Sequence, residues 1–364
     1  MSVKVKSVDP PSKPLAKLPV LNPFSHEDRV LIVISADPDS IASAVAFKRL
    51  LWRKVAHVTV ASTNEVRRPD NLRLLAALKL HLPHLGEVDL GHFNRLAMVD
   101  SQPHHSPLTA GLKFSVVVDH HPVGPPSLVL HPPEFTDIRS DYGATATIFV
   151  HYLRAARIRP NQLLATALFY AIKTDTQNFV RQGQIEDMRA FRWLYPLIHQ
   201  PLLSEIEQAP IGRKSFKYML EGLNQTVFDK NYAAVFFERL DHADTLVLAA
   251  DFVMKIEGVG RAVATGVFGD KLVVILRSGG IRSSNLGRLA QDAFGAYGSA
   301  GGHKNMARAE IELERLDPKR AMKPSQMFGF VRRRLREVLG RKAAAREAHS
   351  PAPGPDRRRP GAGR

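Results

Sequence analysis

One stretch constrains this chain more than any other: three β-branched apolar residues followed at once by an acid and two imidazoles, Val116-Val117-Val118-Asp119-His120-His121. Such an apolar run reads as a buried strand. The polar triplet that stops it then lies at the strand's carboxyl end, where open α/β sheets place their chemistry. The same arrangement recurs where residues 30–34 run into Ser35-Ala36-Asp37-Pro38-Asp39 and residues 96–99 run into Asp100, while Asp175 follows an apolar, helix-like stretch over 163–172. Any one of these aspartates serves equally well as a strand terminator or a helix N-cap. Taken together with the histidine pair, they form the mixed oxygen and nitrogen donor set that a divalent metal requires.

In this order the residues resemble the motifs of the DHH phosphoesterase superfamily: Asp37-Pro38-Asp39 with Ser40-Ile41-Ala42-Ser43-Ala44, then Asp100, then Asp119-His120-His121, then Thr174-Asp175-Thr176. Gly301-Gly302-His303-Lys304 resembles the glycine-rich histidine motif of the DHHA1 domain, so the resemblance covers about residues 28 to 315. It implies an α/β fold, with a DHH domain built on a mainly parallel sheet flanked by helices, a smaller α/β DHHA1 domain, and an active site in the interdomain cleft. Carried over residue by residue, it implies a pair of divalent ions, manganese or else magnesium. Asp100 is the bridge, Asp39, His120 and Asp175 complete one site, and Asp37 belongs to the other. Asp119 is implied to orient or tune His120, and His121 to face the substrate phosphate. Gly301, Gly302 and His303, with Arg277 or Arg282, are implied to bind the terminal phosphate or base of the substrate.

The first motif departs from the family. Relatives carry a ligand histidine shortly before the first aspartate, whereas Val33-Ile34-Ser35-Ala36 offers none. Three outcomes stay open: one tight and one substrate-assisted metal, replacement by His104 or His105, or loss of hydrolysis with nucleotide binding retained. Gln177, where relatives often have glycine, is a lesser departure. As a compact DHH plus DHHA1 pair the chain is most similar to the oligoribonuclease and 3′-phosphoadenosine 5′-phosphate phosphatase (nanoRNase) group. A phosphodiesterase of linear or cyclic dinucleotides and a nucleotide- or RNA-binding module are the alternatives.

Composition narrows the chemistry. With no cysteine in 364 residues, thiolate metal sites, disulfides and cysteine nucleophiles are excluded. The net charge of +16 is concentrated at the C-terminus, where fifteen basic residues oppose four acidic ones from Arg315 onward, +11 of the total. The basic character therefore speaks for a tail with weak polyanion contact rather than for the active site. No apolar run reaches the length of a membrane span, so the expectation is a soluble, cytoplasmic protein with a nucleotide or short RNA as substrate, no membrane partner, and a homodimer left open.

The expected organisation is an extended leader over 1–27, a catalytic domain over 28–186, a helical connector over 187–230, a substrate-binding domain over 231–316, and a basic helix with a disordered tail over 317–364. Helical spacing is expected over 40–52 and over 161–173, and a further helix through 155 is opened by 140–146, a run of small residues that permits close packing or close backbone approach and resembles the family's short helix-start motif. A proline-rich loop spans 101–107 with His104 and His105, and arginines 67 and 68 lie on a polar loop. In the second half, strands at 232–237, 261–268, 271–276 and 307–311 alternate with helices at 245–256 and 285–293. A glycine loop occupies 297–303, and a basic helix over 325–348 presents Phe328, Val331, Leu335 and Leu339 on one face.

Overall fold

The computed structural model describes residues 18–124, 128, 130–179, 184–238, 240, 242–279, 285–302, 304–319 and 321–348. The chain divides into two compact units, Met1–Pro210 and Ile211–Arg364.

In the first unit, strands and helices follow one another as β1 (Arg29–Ile34), α1 (Pro38–Leu51), β2 (His57–Ser62), α2 (Pro69–Leu78), β3 (Arg95–Val99), β4 (Val116–Asp119), β5 (Phe135–Ile138), α3 (Thr145–Ala155), α4 (Gln162–Asp175), α5 (Ile185–Leu194) and α6 (Gln200–Glu207). The five strands are all parallel, in the order β2-β1-β3-β4-β5. Both faces of the sheet are covered. Val30, Ile32 and Ile34 enter a large core shared with α1, α3 and α4, and Leu31 and Val33 enter a smaller one with Met98, Phe114 and Val117. A strand buried on both faces needs an uninterrupted apolar run, and burying each large aliphatic side chain stabilises by roughly 1.5–3 kcal/mol.

The strand order reverses direction between β1 and β3, and in a sheet of this kind a ligand crevice opens outside the carboxyl ends of those two strands. Asp37 and Asp39 follow β1, Asp100 follows β3, and Asp119 ends β4. α1 begins there because Asp37 caps it, Pro38 pre-sets its first turn, and Ser40 closes a reciprocal capping box.

Several expectations need adjustment. The end of the leader is packed: Val20 is buried and the Phe24 ring meets Phe47 edge-on at 5.9 Å. The helical stretch after residue 186 is shared between the units. The main-chain N–H of His199, just before α6, donates to Thr166 Oγ1 of α4 at 2.9 Å, while α7 (Arg213–Asn224) rests its Gly222 against the Phe237 ring. Within the proline-rich loop, Pro103–His105 forms a single 3-10 turn.

After α7, the second unit runs β6 (Val227–Asp229), β7 (Tyr232–Phe237), α8 (Asp244–Val253), β8 (Arg261–Phe268), β9 (Lys271–Ser278), α9 (Leu286–Phe294), β10 (Gly298–Gly302), β11 (Met306–Glu312), α10 (Leu313–Leu316) and α11 (Pro324–Ala348). Its six strands form a mixed sheet, β10-β11-β9-β8-β7-β6, with α8 on one face and α9 and α11 on the other. The buried stripe of α11 is Met327, Phe330, Val331, Leu335 and Val338; the predicted Phe328 and Leu339 sit half-buried at its margins. The segment expected as a glycine loop is instead edge strand β10, antiparallel to β11. A Cβ on Gly287 would overlap the carbonyl oxygen of Gly302, and one on Gly298 would overlap that of Glu310. Glycine here lets α9 and β11 lie directly on the strand's backbone. The α/β class, a parallel sheet flanked by helices plus a smaller mixed-sheet unit, is as expected.

Candidate metal centre

Four chain segments bring their side chains together at the carboxyl end of the first sheet. The α1 segment contributes Asp39, almost fully buried in the helix's first turn. Its two oxygens accept the main-chain N–H groups of Thr145, at 2.7 Å, and Ala146, at 2.8 Å, from the first turn of α3. Asp100 follows β3 in the left-handed region, at φ +60°, a conformation aspartate tolerates better than most residues. The turn is pinned by a 2.8 Å bond from its N–H to Val118 O, and its Oδ1 accepts the Thr145 hydroxyl at 2.7 Å.

His120 comes from the end of β4. Its Nδ1 lies 3.2 Å from Tyr142 O, and because a carbonyl can only accept, Nδ1 carries the proton. Nε2 therefore points into the cluster, 3.1 Å from Asp175 Oδ2, 3.6 Å from Asp100 Oδ1 and 4.0 Å from Asp39 Oδ2. Asp175, the last residue of α4, is the most exposed of the four. His121 turns its Nδ1 to Asp119 Oδ1 at 2.8 Å and lies 3.9 Å from Asp100 Oδ1. From His120, Asp119 Oδ1 accepts the main-chain N–H at 2.8 Å. The imidazole it orients directly is His121, while its charge is among those that raise the His120 imidazole.

Among the described residues, two sets of potential ligand atoms lie within 4.8 Å of one another: Asp39, His120 and Asp175, and Asp100, His120 and His121. Asp37 belongs to neither set. Its carboxylate accepts Ser40 N–H at 2.8 Å as the cap of α1. His104 and His105 also stand outside both sets; the His105 ring lies 5.9 Å from that of His121, with Nδ1 accepting the Gln102 N–H at 3.2 Å. In the second unit, Gly301 and Gly302 lie in β10, and Arg277 is held by Asp251 at 2.7 Å. Arg282 and His303 lie outside the described residues.

The electrostatics are those of carboxylates crowded together out of water. Burial, then the neighbouring Asp175, pushes the Asp39 carboxyl up to about 8. Asp100 is raised well above the carboxylate range by burial and by Asp39 and Asp37. Burial would lower His120, but Asp175, Asp39 and Asp119 outweigh it and lift the imidazole to about 10. Buried carboxylates this close are costly unless a positive charge is shared among them. Oxygen and imidazole donors, with the histidine's second nitrogen fixed on a carbonyl, suit a hard or borderline divalent ion. The residues present fit such an ion.

Sequence reasoning missed the supports of this cluster. Gln102 is buried, and its Nε2 donates to Asp119 Oδ2 at 2.8 Å and to Pro122 O at 3.1 Å, so it fixes the carboxylate that fixes His121. Thr145 serves two aspartates at once. The small-residue segment before α3 was visible, but not that its backbone would supply donors and an acceptor.

No protein-family model matches the chain. An uncharacterized protein of Methanocaldococcus jannaschii is 30% identical over 315 residues, covering 85% of this chain and 64% of that protein. The chain thus spans just under two thirds of that relative's length. An exopolyphosphatase-related protein from Bacteroides fragilis has the same fold, with a TM-score of 0.67 over 86% of this chain and 93% of its own, at 16% identity. A pGpG-specific phosphodiesterase from Vibrio cholerae aligns over 84% of this chain and 99% of its own, at 12% identity, with a TM-score of 0.35, too low to bear on the fold. No helix among the described residues is long and apolar enough to cross a membrane.

Proposed function

We propose that the first unit is a metal-dependent phosphoesterase of DHH type that hydrolyses a nucleotide phosphoester, with short oligonucleotides or 3′-phosphoadenosine 5′-phosphate as the substrate class. The observation that carries this reading is the aim of His120. One ring nitrogen is committed to Tyr142 O and the other faces three aspartates. Asp39, His120, Asp175 and Asp100 would hold the ion, manganese or magnesium. Once bound, it supplies a Lewis acid for the phosphoryl oxygens and makes water a stronger nucleophile at neutral pH.

The remaining roles belong to the chain's own groups. Asp119 accepts the Nδ1 proton of His121 and fixes that ring's tautomer, so Nε2 is the atom that meets the phosphate or exchanges a proton with the leaving oxygen. Gln102 keeps Asp119 in place. Gly301, Gly302, His303, Arg277 and Arg282 are proposed to bind substrate. A weak polyanion contact is assigned to the basic C-terminal tail, whose helix α11 carries a groove of about 360 Å³ lined by Gly329, Arg332, Arg333, Arg336 and Glu337.

A second reading, nucleotide binding without hydrolysis, draws support from Asp37, which lies in neither ligand set and has no histidine before it. The two separate in one assay: phosphate and nucleotide release with Mn²⁺ from 3′-phosphoadenosine 5′-phosphate, a short RNA, a cyclic dinucleotide and inorganic polyphosphate. Turnover by the wild type that Asp100→Ala abolishes supports the esterase. Nucleotide binding without turnover supports the binding module.

A further inference from the structure

Asp187 belongs to none of the recognised motifs, yet its side chain is entirely buried. As the third residue of α5 it closes a capping box, with Oδ2 accepting the Gln184 N–H at 2.8 Å. Capping alone requires neither burial nor further partners. Asp187 has both, because Oδ2 also accepts the Gly143 N–H at 2.9 Å and Oδ1 accepts the Thr147 hydroxyl at 2.5 Å. A buried carboxylate satisfied by three neutral donors is an expensive way to start a helix, so its placement asks for another reason.

The reason lies in what Gly143 and Thr147 bracket. Within residues 142–147, Tyr142 O takes the His120 Nδ1 proton, the N–H groups of Thr145 and Ala146 hold Asp39, and the Thr145 hydroxyl holds Asp100. Three of the four proposed ligands are thus aimed by one short turn, and Asp187 grips that turn near both ends. The fit leaves no slack: a Cβ on Gly143 would lie 2.6 Å from Thr176 Cγ2, beside Asp175, and 2.8 Å from Asp187 Oδ2.

We propose that Asp187 is a positioning residue for the metal centre, clamping the 142–147 turn so that Asp39, Asp100 and His120 converge on one point. The inference rests on the reading of that cluster as a metal site. It assigns Asp187 no contact with the ion or the substrate.

Two variants of the full chain test it. Asp187→Asn keeps the size but cannot accept all three hydrogen bonds, and Gly143→Ala displaces the same turn by pressing a methyl against Thr176 and Asp187. Amide hydrogen exchange in chelator reads the clamp, and calorimetric titration with Mn²⁺ reads its consequence. Both variants are expected to speed exchange across 143–147 while β1 and β3 stay protected, and to weaken Mn²⁺ binding by about 10–100-fold, the range for a partner that orients metal ligands. Unchanged exchange overturns the inference. So does faster exchange with wild-type Mn²⁺ affinity, since Asp187 would then only cap α5. A wild-type chain that takes up no Mn²⁺ contradicts the metal reading itself, whereas variants that bind as the wild type does contradict the inference alone.

Discussion

The carboxyl end of the first sheet and strand β10 of the second unit both looked like functional motifs, and they differ in what holds them. At the first sheet, charged groups are buried against their preference. Asp39, Asp100 and His120 are each pinned by backbone or hydroxyl partners, and one of them occupies a left-handed conformation. Nothing in the packing of the core requires those charges. In and against β10 the glycines answer to packing, since β11 leaves no room for a Cβ at Gly298 and β10 itself leaves none at Gly287 of α9. Gly301 is the exception, with nothing within 4 Å of a built Cβ. Burial without a packing reason points to a ligand, whereas a glycine with a packing reason points first to the fold.

The largest expected effect is on the first side of this comparison. Asp100→Asn keeps shape and removes charge, and should reduce Mn²⁺-dependent turnover by more than the ~10–100-fold typical of an outer partner, with the melting temperature in chelator equal to the wild type's or higher. A lower one would mean that the charge serves the core.

Next comes the second side. Gly287→Ala forces a methyl against a carbonyl oxygen that cannot yield, and overpacking of this kind costs roughly 1–3 kcal/mol or more. Calorimetry should show the second unit destabilised, with Mn²⁺ binding unaffected. Gly301→Ala sharpens the contrast. It is expected to leave stability within about 0.5 kcal/mol while weakening substrate binding, and a large stability loss there would extend the packing explanation to the whole strand.

A smaller effect is expected in the pH dependence of the chelated protein. Asp39, at about 8 when folded against 3.8 for an ordinary aspartate, contributes stability that is fully present below pH ~4 and lost as the pH rises through about 8. His120, lifted from 6.5 to about 10, acts in the same direction above pH 6.5. Thermal melts in chelator should therefore fall between pH 5 and pH 8, and Mn²⁺ should reverse the trend because the ion replaces protons on its ligands. Equal slopes with and without the ion would contradict the cluster's assignment.

The smallest effect concerns Gln177, at φ +49°. Relief of the left-handed penalty, about 1–2 kcal/mol, is partly offset by the entropy of glycine. Gln177→Gly should raise stability by under ~1 kcal/mol, read as a small upward shift in denaturant midpoint.

The sequence was most legible where one physical demand dominates. β1 and β4 are buried on both faces, so their apolar runs are continuous and the polar residues that end them stand out. The turn at 142–147 was legible as a run of small residues open to close packing or close backbone approach, and as a resemblance to the family's helix-start motif, but not as the support of three ligands. Its contribution comes from N–H and C=O groups that every residue carries, and composition cannot show where they point. Gln102 left no trace either, because its partner Asp119 is 17 residues away and an amide beside an aspartate looks like any surface loop. β10 was misread because glycine serves loops and close-packed strands alike. β5 and β6 are edge strands of four and three residues, too short for a period to show.

Calorimetric titration of Mn²⁺ into the chelator-stripped chain, beside His120→Ala, tests the central claim most directly. The account predicts saturable binding by the wild type, with proton release, and its loss in the variant, since His120 is common to both ligand sets. Binding that survives unchanged in His120→Ala, or a wild-type chain that takes up no ion, would contradict it.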